Sequence, residues 1–170
     1  MGDAVWHRRT MKQFPIRKHP RLPIPVYQEG HIFFLTCATY ARFPWFERFG
    51  ELALASVELL ESLAVERGTD IFAWCFMPEH CHLLVRDDDT VEFVRRFKGR
   101  LTPIARKMAP GRSLWQKSFY DHALRKTESV FTVAGYIWEN PVRAGLTDSP
   151  EKYVLSGSLI WPDWRFAYTT

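Results

Sequence analysis

Four stretches of the chain have the residue pattern of β-strands. Residues 31–39, 70–77 and 80–86 are short runs rich in aromatic and branched side chains, and residues 119–125 alternate well enough to form a fourth strand. The first run is largely apolar on both faces, which is typical of a central strand. A Pro-Glu turn separates the second and third runs, so we expect those two strands to pair antiparallel.

Two long stretches have the three- and four-residue spacing of amphipathic helices. They cover residues 47–67 and 91–109. We expect the first helix to stop at Gly68, and the second to be capped at Thr90 and kinked or split by Pro103. The core-facing stripes are predicted to be Leu52, Ala55, Leu59 and Leu63 in the first helix and Val94, Phe97, Leu101, Ile104 and Met108 in the second.

A third helix is predicted over residues 127–140, with Thr127 as its N-cap and Pro141 as its stop. The order is then strand, helix, strand, strand, helix, strand, helix. Two β-α-β units with an antiparallel sheet and helices on one face describe an α+β, ferredoxin-like domain. The last helix is an addition to that fold at the C-terminal side.

The chain divides into three parts by composition. Residues 1–27 form a basic, proline-rich N-terminal arm in which we expect no regular element, residues 28–146 form the domain, and residues 147–170 form a tail without a clear pattern. The arm is either a segment that lies along phosphates or a poorly ordered terminus. Its basic side chains are His7, Arg8, Arg9, Lys12, Arg17, Lys18, His19 and Arg21.

Composition narrows the class of protein. With 170 residues, 46% hydrophobic and 15% aromatic, the chain can bury a real core as one domain. No apolar run approaches a membrane span and no signal region is present, so we expect a cytoplasmic protein. Three cysteines without Cys-x-x-Cys spacing predict buried thiols. A net charge of +4 permits an anionic partner without requiring one.

The most informative stretch is MPEHCHLLV at residues 77–85. On a strand, alternate side chains share a face, so His80 and His82 point one way and Cys81 points the other. Two imidazoles on adjacent positions of one face can converge on a metal ion. His-x-His also arises by chance, so the triplet alone leaves an ordinary strand as the alternative.

A second candidate lies on the third predicted helix. Tyr136 and Asn140 are four residues apart and therefore share one face. The two histidines and Asn140 could hold a divalent ion, with Tyr136 as a nucleophile beside it. A half-buried tyrosine that only packs is the alternative from the residues alone. Gly135, just before it, would leave room for a DNA backbone or a slight pivot.

Basic side chains give a candidate surface for an anionic partner. The second helix carries Arg95, Arg96, Lys98, Arg100, Arg106 and Lys107 against one acid, Glu92. This face contacts either solvent or phosphates. We predict Arg95, Arg96, Lys98 and Arg100 as contacts to phosphates, together with Arg125 after the fourth strand and Arg143 after the third helix.

Three motifs in order carry a family resemblance. MPEHCHLLV (residues 77–85), FYDHALR (119–125) and YIWENPVRAGL (136–146) resemble the signatures of the REP-associated tyrosine transposases, which are single-tyrosine HUH transposases. The resemblance covers about residues 28–146. It implies that His80 and His82 are the metal ligands of the His-hydrophobic-His motif, that Asn140 is the third ligand, and that Tyr136 is the catalytic tyrosine.

The resemblance also implies an activity. Members cleave and rejoin single-stranded DNA at REP palindromes, which are short chromosomal hairpins in bacteria, through a 5′-phosphotyrosine intermediate with Mg²⁺ or Mn²⁺. It therefore implies a bacterial, nucleoid-associated protein. Whether it acts as a monomer or a homodimer stays open.

Two other classes stay open at this point. A ferredoxin-like sheet with aromatic side chains can bind single-stranded nucleic acid by stacking, without chemistry. A metal-dependent nuclease can use an activated water, with Tyr136 as a bystander.

Overall fold

The computed structural model of the protein describes residues 23–169. Most of the basic arm lies outside the described residues. The helices are α1 (Ile24–Gln28), α2 (Trp45–Arg48), α3 (Gly50–Arg67), α4 (Thr90–Met108), α5 (Val130–Trp138) and α6 (Asn140–Arg143). The strands are β1 (Ile32–Ala38), β2 (Asp70–Met77), β3 (His80–Arg86), β4 (Tyr120–Ala123) and β5 (Ser156–Gly157).

The five strands form one antiparallel sheet in the order β4-β1-β3-β2-β5. The central strand β3 is therefore flanked by the two apolar strands β1 and β2. Its register with β1 places Thr36 opposite His82 and Ala38 opposite His80. The polar residues of the middle strand thus have fixed neighbours on both sides.

Helices cover the two faces of the sheet unequally. The long helices α3 and α4 pack on one face, together with the Cys81, Leu83 and Val85 side chains of β3. Helix α5 and residues of the C-terminal segment pack on the other face, where Leu84 of β3 also points. This confirms the predicted α+β fold with an additional C-terminal helix, and places that helix opposite the two long ones. The three cysteines are free and buried, as predicted.

The chain before β1 differs from the prediction. Instead of an irregular segment up to residue 27, Ile24–Gln28 forms a short helix after Pro23. Proline is tolerated there because the first helical N–H groups have no intrahelical acceptor in any case. Tyr27 of this helix is buried and donates a hydrogen bond of 2.9 Å to Asp121. Tyr27 is therefore part of the domain core, and the rest of α1 lies at its surface.

The predicted helix over 47–67 is interrupted. Phe49 has φ −126° and ψ 80°, which separates α2 from α3. In α3, Leu52 and Leu63 are fully buried as predicted, but Leu60 is buried in place of Leu59, which is only partly covered. Gly68 ends the helix with φ 68°, in the left-handed region where glycine costs least.

The predicted N-cap of α4 was one residue too late, and the predicted N-cap of α5 was two residues too early. Asp89, not Thr90, caps α4 by accepting a hydrogen bond from the Glu92 N–H. Ser129, not Thr127, caps α5. Helix α4 runs through Pro103 without a break. An aspartate or serine side chain reaches the free N–H groups more readily when its own backbone is extended just before the helix.

The C-terminal segment, for which the sequence predicted no structure, completes the α5 face. Trp138 of α5 stacks on Trp164, with ring centroids 4.4 Å apart and planes 16° apart. The Trp138 indole N–H donates to the Gly157 carbonyl at 3.0 Å. Trp138 is fully buried, and truncating such a side chain typically costs about 3–5 kcal/mol. The segment therefore fixes α5 on the sheet.

None of the helices in residues 23–169 is long and apolar enough to cross a membrane.

Candidate metal and nucleophile site

The two histidines of β3 converge on one point. His80 and His82 are on the α5 face by strand alternation, and their Nε2 atoms lie 3.1 Å apart. Imidazole–metal bonds of about 2.0–2.1 Å set two neighbouring ligand nitrogens roughly 3 Å apart on one ion. Cys81 points to the opposite face, where it lies across from Cys37. The pair is therefore shaped to share a cation.

Each imidazole is held through its other nitrogen. His80 Nδ1 lies 3.0 Å from a Glu79 carboxylate oxygen, and His82 Nδ1 lies 2.9 Å from the Thr36 hydroxyl. A carboxylate that accepts the Nδ1 proton leaves the Nε2 lone pair of His80 directed at a ligand. Sequence reasoning missed both supports: Glu79 is signalled by its place beside the histidine, whereas Thr36 follows from strand register alone.

The surroundings favour neutral imidazoles. Burial lowers the pKa of His80, although the nearby Glu79 carboxylate acts in the opposite direction. Burial also lowers the pKa of His82, well below its ordinary value, and the nearby His80 and Arg143 charges lower it further. A neutral ring is the form that binds a metal.

A third donor beside the two imidazoles would have to be of another kind. Within residues 23–169, no three side chains of the His, Cys, Asp and Glu types are grouped so as to hold a metal ion. Asn140, at the start of α6, lines the same cleft as His80, and this cleft has a volume of about 470 Å³. The Asn140 Nδ2 donates to the Tyr136 carbonyl at 3.0 Å, so its amide oxygen is the atom left to meet a cation. The donor set of two imidazoles and one amide oxygen fits a divalent ion with open positions.

Tyr136 lies on the same face of the sheet as the histidine pair. Its ring meets Phe34 edge-on at 6.3 Å, and Phe34 in turn stacks on His82 at 5.3 Å. The Arg143 guanidinium lies over the Tyr136 ring, 4.2 Å from its centroid. Arg143 also donates to the Tyr136 carbonyl and to Glu139, and it lines the cleft with His80 and Asn140. A phenol, a fixed cation and a neutral histidine pair on one face are the parts of a phosphoryl-transfer site.

Gly135 has a different role from the one predicted. A Cβ at this position would lie 3.3 Å from the Tyr168 hydroxyl, so the tail occupies the side that a side chain would need. The glycine therefore allows the C-terminal segment to approach α5. It does not leave open space for a DNA backbone.

Of the predicted DNA contacts, Arg143 alone lines this cleft. Arg95, Arg96 and Arg100 lie on α4, which packs on the opposite face of the sheet. Their guanidinium groups make ion pairs with Glu92 and Glu66.

The remaining two predicted contacts have other surroundings. The Lys98 ammonium donates to the Gln116 carbonyl at 2.6 Å. Arg125 is exposed just beyond β4. The structure therefore does not bring Lys98 or Arg125 into the cleft of His80 and Asn140.

The start of α5 is tied to β4 by a contact that the sequence did not indicate. His122 lies 3.1 Å from both carboxylate oxygens of Glu128, which also accepts from the Arg125 N–H at 2.7 Å. Tyr120, the other tyrosine considered, is on the same face and meets Phe34 at 6.4 Å. Tyr136 differs from it by the Arg143 cation on its ring and the Asn140 amide one turn away.

Comparison with known proteins places this site in a family. A family model described as IS200-like transposase matches residues 30–140, which include the histidine pair, Tyr136 and Asn140. The chain belongs to the IS200-like transposase family. The match spans the chain from β1 to α5 and ends at Asn140, so Arg143 lies just outside it.

Individual relatives agree with this assignment. A REP-associated tyrosine transposase of Escherichia coli (strain K12) is 32% identical over 84 residues, which are 47% of this chain and 48% of that protein. An uncharacterized protein of Haemophilus influenzae is 39% identical over 49 residues, or 29% of this chain and 27% of that protein. The chain thus spans about half the length, or less, of these curated relatives.

A solved structure shares the fold. A REP-associated tyrosine transposase bound to a REP hairpin superposes with a TM-score of 0.63 at 23% identity, covering 82% of this chain and 81% of that one. The resemblance to REP-associated tyrosine transposases drawn from the three motifs is confirmed.

Proposed function

We propose that this IS200-like transposase cleaves and rejoins single-stranded DNA through Tyr136. The observation that carries the proposal is the shared cleft: His80, Asn140 and Arg143 line it together, and Arg143 lies on the ring of Tyr136. Family membership supports the reaction class, because the matched region contains the histidines, the tyrosine and the amide.

The tyrosine hydroxyl oxygen would attack the phosphorus of one phosphodiester. The bond from phosphorus to the 3′ oxygen breaks, the phenol loses its proton, and the 3′ oxygen gains one as it leaves. The products are a 5′-phosphotyrosine and a free 3′-hydroxyl, and attack by another 3′-hydroxyl reverses the step and joins strands. Arg143 can hold a phosphate oxygen, since its two hydrogen bonds to the protein use two of its five N–H donors.

We propose that His80, His82 and Asn140 hold Mg²⁺ or Mn²⁺. When bound, such an ion offsets negative charge on the phosphate oxygens. Imidazole ligands suit Zn²⁺ better than Mg²⁺, so water and DNA oxygens would complete the shell of the harder ions. The neutral state of both imidazoles and the 3.1 Å spacing of their Nε2 atoms support this assignment.

The proposed substrate is a REP-type hairpin, on which the protein would act in the bacterial nucleoid. Supporting this, the E. coli relative is a REP-associated tyrosine transposase, and the structural neighbour is bound to a REP hairpin. We expect hairpin or single-stranded DNA to be preferred over plain duplex, with affinity that falls steeply as salt rises.

A denaturing gel tests the proposal. The protein is incubated with 5′- and 3′-labelled hairpin oligonucleotides in Mg²⁺ or Mn²⁺. We expect a covalent protein–DNA adduct that carries the 3′ label, because Tyr136 is joined to the 5′ phosphate of the fragment that holds the 3′ end. The 5′ label should leave on the fragment with the free 3′-hydroxyl. Cleavage without an adduct would identify a nuclease that uses water, and binding without cleavage would identify a binding domain.

A further inference from the structure

A second cleft opens on the other side of the turn that follows β1. Its volume is about 380 Å³, and its lining includes Thr102 and Arg106 of α4 and Arg112, Ser113 and Trp115 of the loop that follows. Two of these residues are cationic, two carry hydroxyl groups, and none of the residues lining this cleft is acidic. Such a lining suits a phosphate backbone.

The cations of this cleft differ from those elsewhere on α4. Arg95, Arg96 and Arg100 are neutralised by Glu92 and Glu66. Within the described part of the chain, Arg106 and Arg112 have no carboxylate within ion-pair distance. The Arg112 guanidinium lies over the Phe43 ring, 4.0 Å from the centroid, which fixes it without using its hydrogen-bond donors. Both charges remain available to an anion.

A buried polar atom also lies beside this cleft. The indole N–H of Trp115 is buried and makes no hydrogen bond in the structure. A buried donor without a partner is costly, so a ligand oxygen that reached it would be favoured.

The two clefts lie at the same end of the sheet, the first on the α5 face and the second beside α4 on the opposite face. Thr39 connects the two clefts. Its N–H and its hydroxyl both donate to the Glu79 carbonyl at 2.9 Å, and it forms a β-bridge with Trp115. Glu79 lines the first cleft and Trp115 the second. The Trp115 segment lies two strand spacings, about 10 Å, from β3. About three stacked nucleotides, at a rise of roughly 3.4 Å each, cover this lateral distance, and the passage over the end of the sheet from one face to the other needs further length.

The turn between the clefts is exposed and strained. Ala41 and Arg42 have φ of 52° and 53°, although neither is glycine. Non-glycine residues in this region cost of order 1–3 kcal/mol and are concentrated at functional sites. Arg42 is exposed here, and it lies 3.8 Å from Glu79, at the limit of an ion pair. A strand that left the first cleft over this turn would pass a third cation before the second cleft.

We propose that this second cleft binds backbone phosphates of the single-stranded DNA that flanks the scissile phosphate. The inference rests on the proposed function, because it assumes that the reacting phosphate lies in the cleft of His80 and that the flanking DNA strand runs from there to the second cleft. It assigns Arg106 and Arg112 as the phosphate contacts, in place of Arg95 and Arg100.

The test compares two double variants that remove the same charge. Arg106→Gln with Arg112→Gln removes the unpaired cations, and Arg95→Gln with Arg100→Gln removes paired ones on the same helix. Both are made in a Tyr136→Phe background, so that binding is measured without cleavage. The probes are a blunt REP-type hairpin and the same hairpin with a single-stranded extension of about six nucleotides, twice the estimated span, on its 5′ or 3′ end. Fluorescence anisotropy over a series of salt concentrations gives the slope of log K against log[salt].

We expect the Arg106/Arg112 double variant to lose about 1.4 from the salt slope on one extended hairpin, at roughly 0.7 per single-strand phosphate, and to match the parent on the blunt hairpin. The Arg95/Arg100 double variant should match the parent on all probes. Equal slopes for both double variants on the extended hairpins would overturn the proposal, and so would an equal loss on the blunt hairpin. Because Arg112 packs on Phe43, the single Arg106→Gln variant serves as a check on folding, and it should show about half the loss.

Failure of the two proposals can be told apart. If the intact protein forms no covalent adduct but its salt slope still depends on Arg106 and Arg112, the proposed catalysis is wrong and the second cleft stands. If the adduct forms and the slope does not depend on these arginines, the second cleft is wrong.

Discussion

His80 and His82 face each other with their Nε2 atoms 3.1 Å apart, while Glu79 and Thr36 hold the opposite nitrogens. Two rings that are each fixed at Nδ1 cannot turn away from one another without losing a hydrogen bond. The position between them is therefore preorganised, which reduces the entropic cost of binding a cation there.

Replacing one histidine tests this position. His80→Ala removes one nitrogen donor from the cleft and leaves Arg143 and the second cleft unchanged. We expect hairpin binding to be nearly unaffected and adduct formation in Mg²⁺ or Mn²⁺ to be abolished. His31→Ala, at an exposed histidine paired with Glu29, is the matched control. Undiminished cleavage by His80→Ala would rule out its role as a ligand, and titration calorimetry with Mn²⁺ measures the lost affinity directly.

The nucleophile is tested by removing one oxygen. Tyr136→Phe keeps the ring that packs on Phe34 and under Arg143, so stability should change by less than about 1.5 kcal/mol. We expect normal hairpin binding and no covalent adduct. Tyr120→Phe, on the same face, should still form the adduct. Peptide mapping of the wild-type adduct decides the matter: a modified peptide that carries Tyr120 would refute the assignment.

Arg143 is expected to act on the rate more than on affinity. Its guanidinium lies on the Tyr136 ring and lines the cleft, whereas Arg95 lies across the sheet. Removing one donor to developing charge typically lowers a rate by about 10²–10³. Arg143→Gln should therefore slow adduct formation on the order of 10²-fold in single-turnover assays, with a much smaller change in hairpin affinity. Glu139→Gln, which removes the partner of Arg143, should retain most of the rate.

Asp87 gives a prediction about stability and its pH dependence. Burial raises its pKa, but the hydrogen bonds from Arg67, Thr69 and the Asp89 N–H outweigh this and hold the pKa below its ordinary value. The folded state therefore binds fewer protons than the unfolded state near pH 4. The stabilisation is present above the unfolded pKa of about 4 and is lost as pH falls through the lower folded value.

We expect Asp87→Asn to cost about 3 kcal/mol in urea unfolding at pH 7, because Arg67 would lose its buried partner. The loss should shrink as the pH is lowered below 4. Asp148→Asn, which breaks an exposed ion pair with Lys152, is the control and should move the midpoint little. Equal effects of the two substitutions at pH 7 would contradict the account.

The basic arm is tested by a truncation that respects the fold. Removing residues 1–22 keeps Pro23 and the helix that carries the buried Tyr27. We expect weaker hairpin binding and a shallower salt slope, since eight basic side chains are lost against one acidic side chain, Asp3. Unchanged affinity at low salt would show that the arm does not contact DNA.

The sequence was sufficient to predict the parts of the site that lie within one strand or one helix. Alternation along β3 placed His80 and His82 together, and helical spacing placed Tyr136 one turn from Asn140. The three motifs then indicated the family. These features are properties of short segments, so the sequence is sufficient to find them.

The parts that were missed depend on contacts between distant segments. Thr36 supports His82 because two strands pair in one register, and Glu66 neutralises Arg100 because α3 packs against α4. No periodicity within one segment contains that information. The charge pattern of α4 therefore predicted DNA contacts at arginines that are paired within the protein. Arg112, which we propose as a contact, lies in the loop after the helix and belongs to no such pattern.

Both edge strands of the sheet are short. On one side, β5 has two residues, and the Leu155 and Leu159 backbones continue the contact along β2. On the other, β4 has four residues, and the Leu124 N–H adds one more backbone hydrogen bond, to the Ile32 carbonyl of β1. A long unpaired edge is what allows two copies to merge their sheets or to aggregate. If two copies of this protein associate on DNA, helices and loops must form the contact, and the shared hairpin can bring them together without any continuous β-structure.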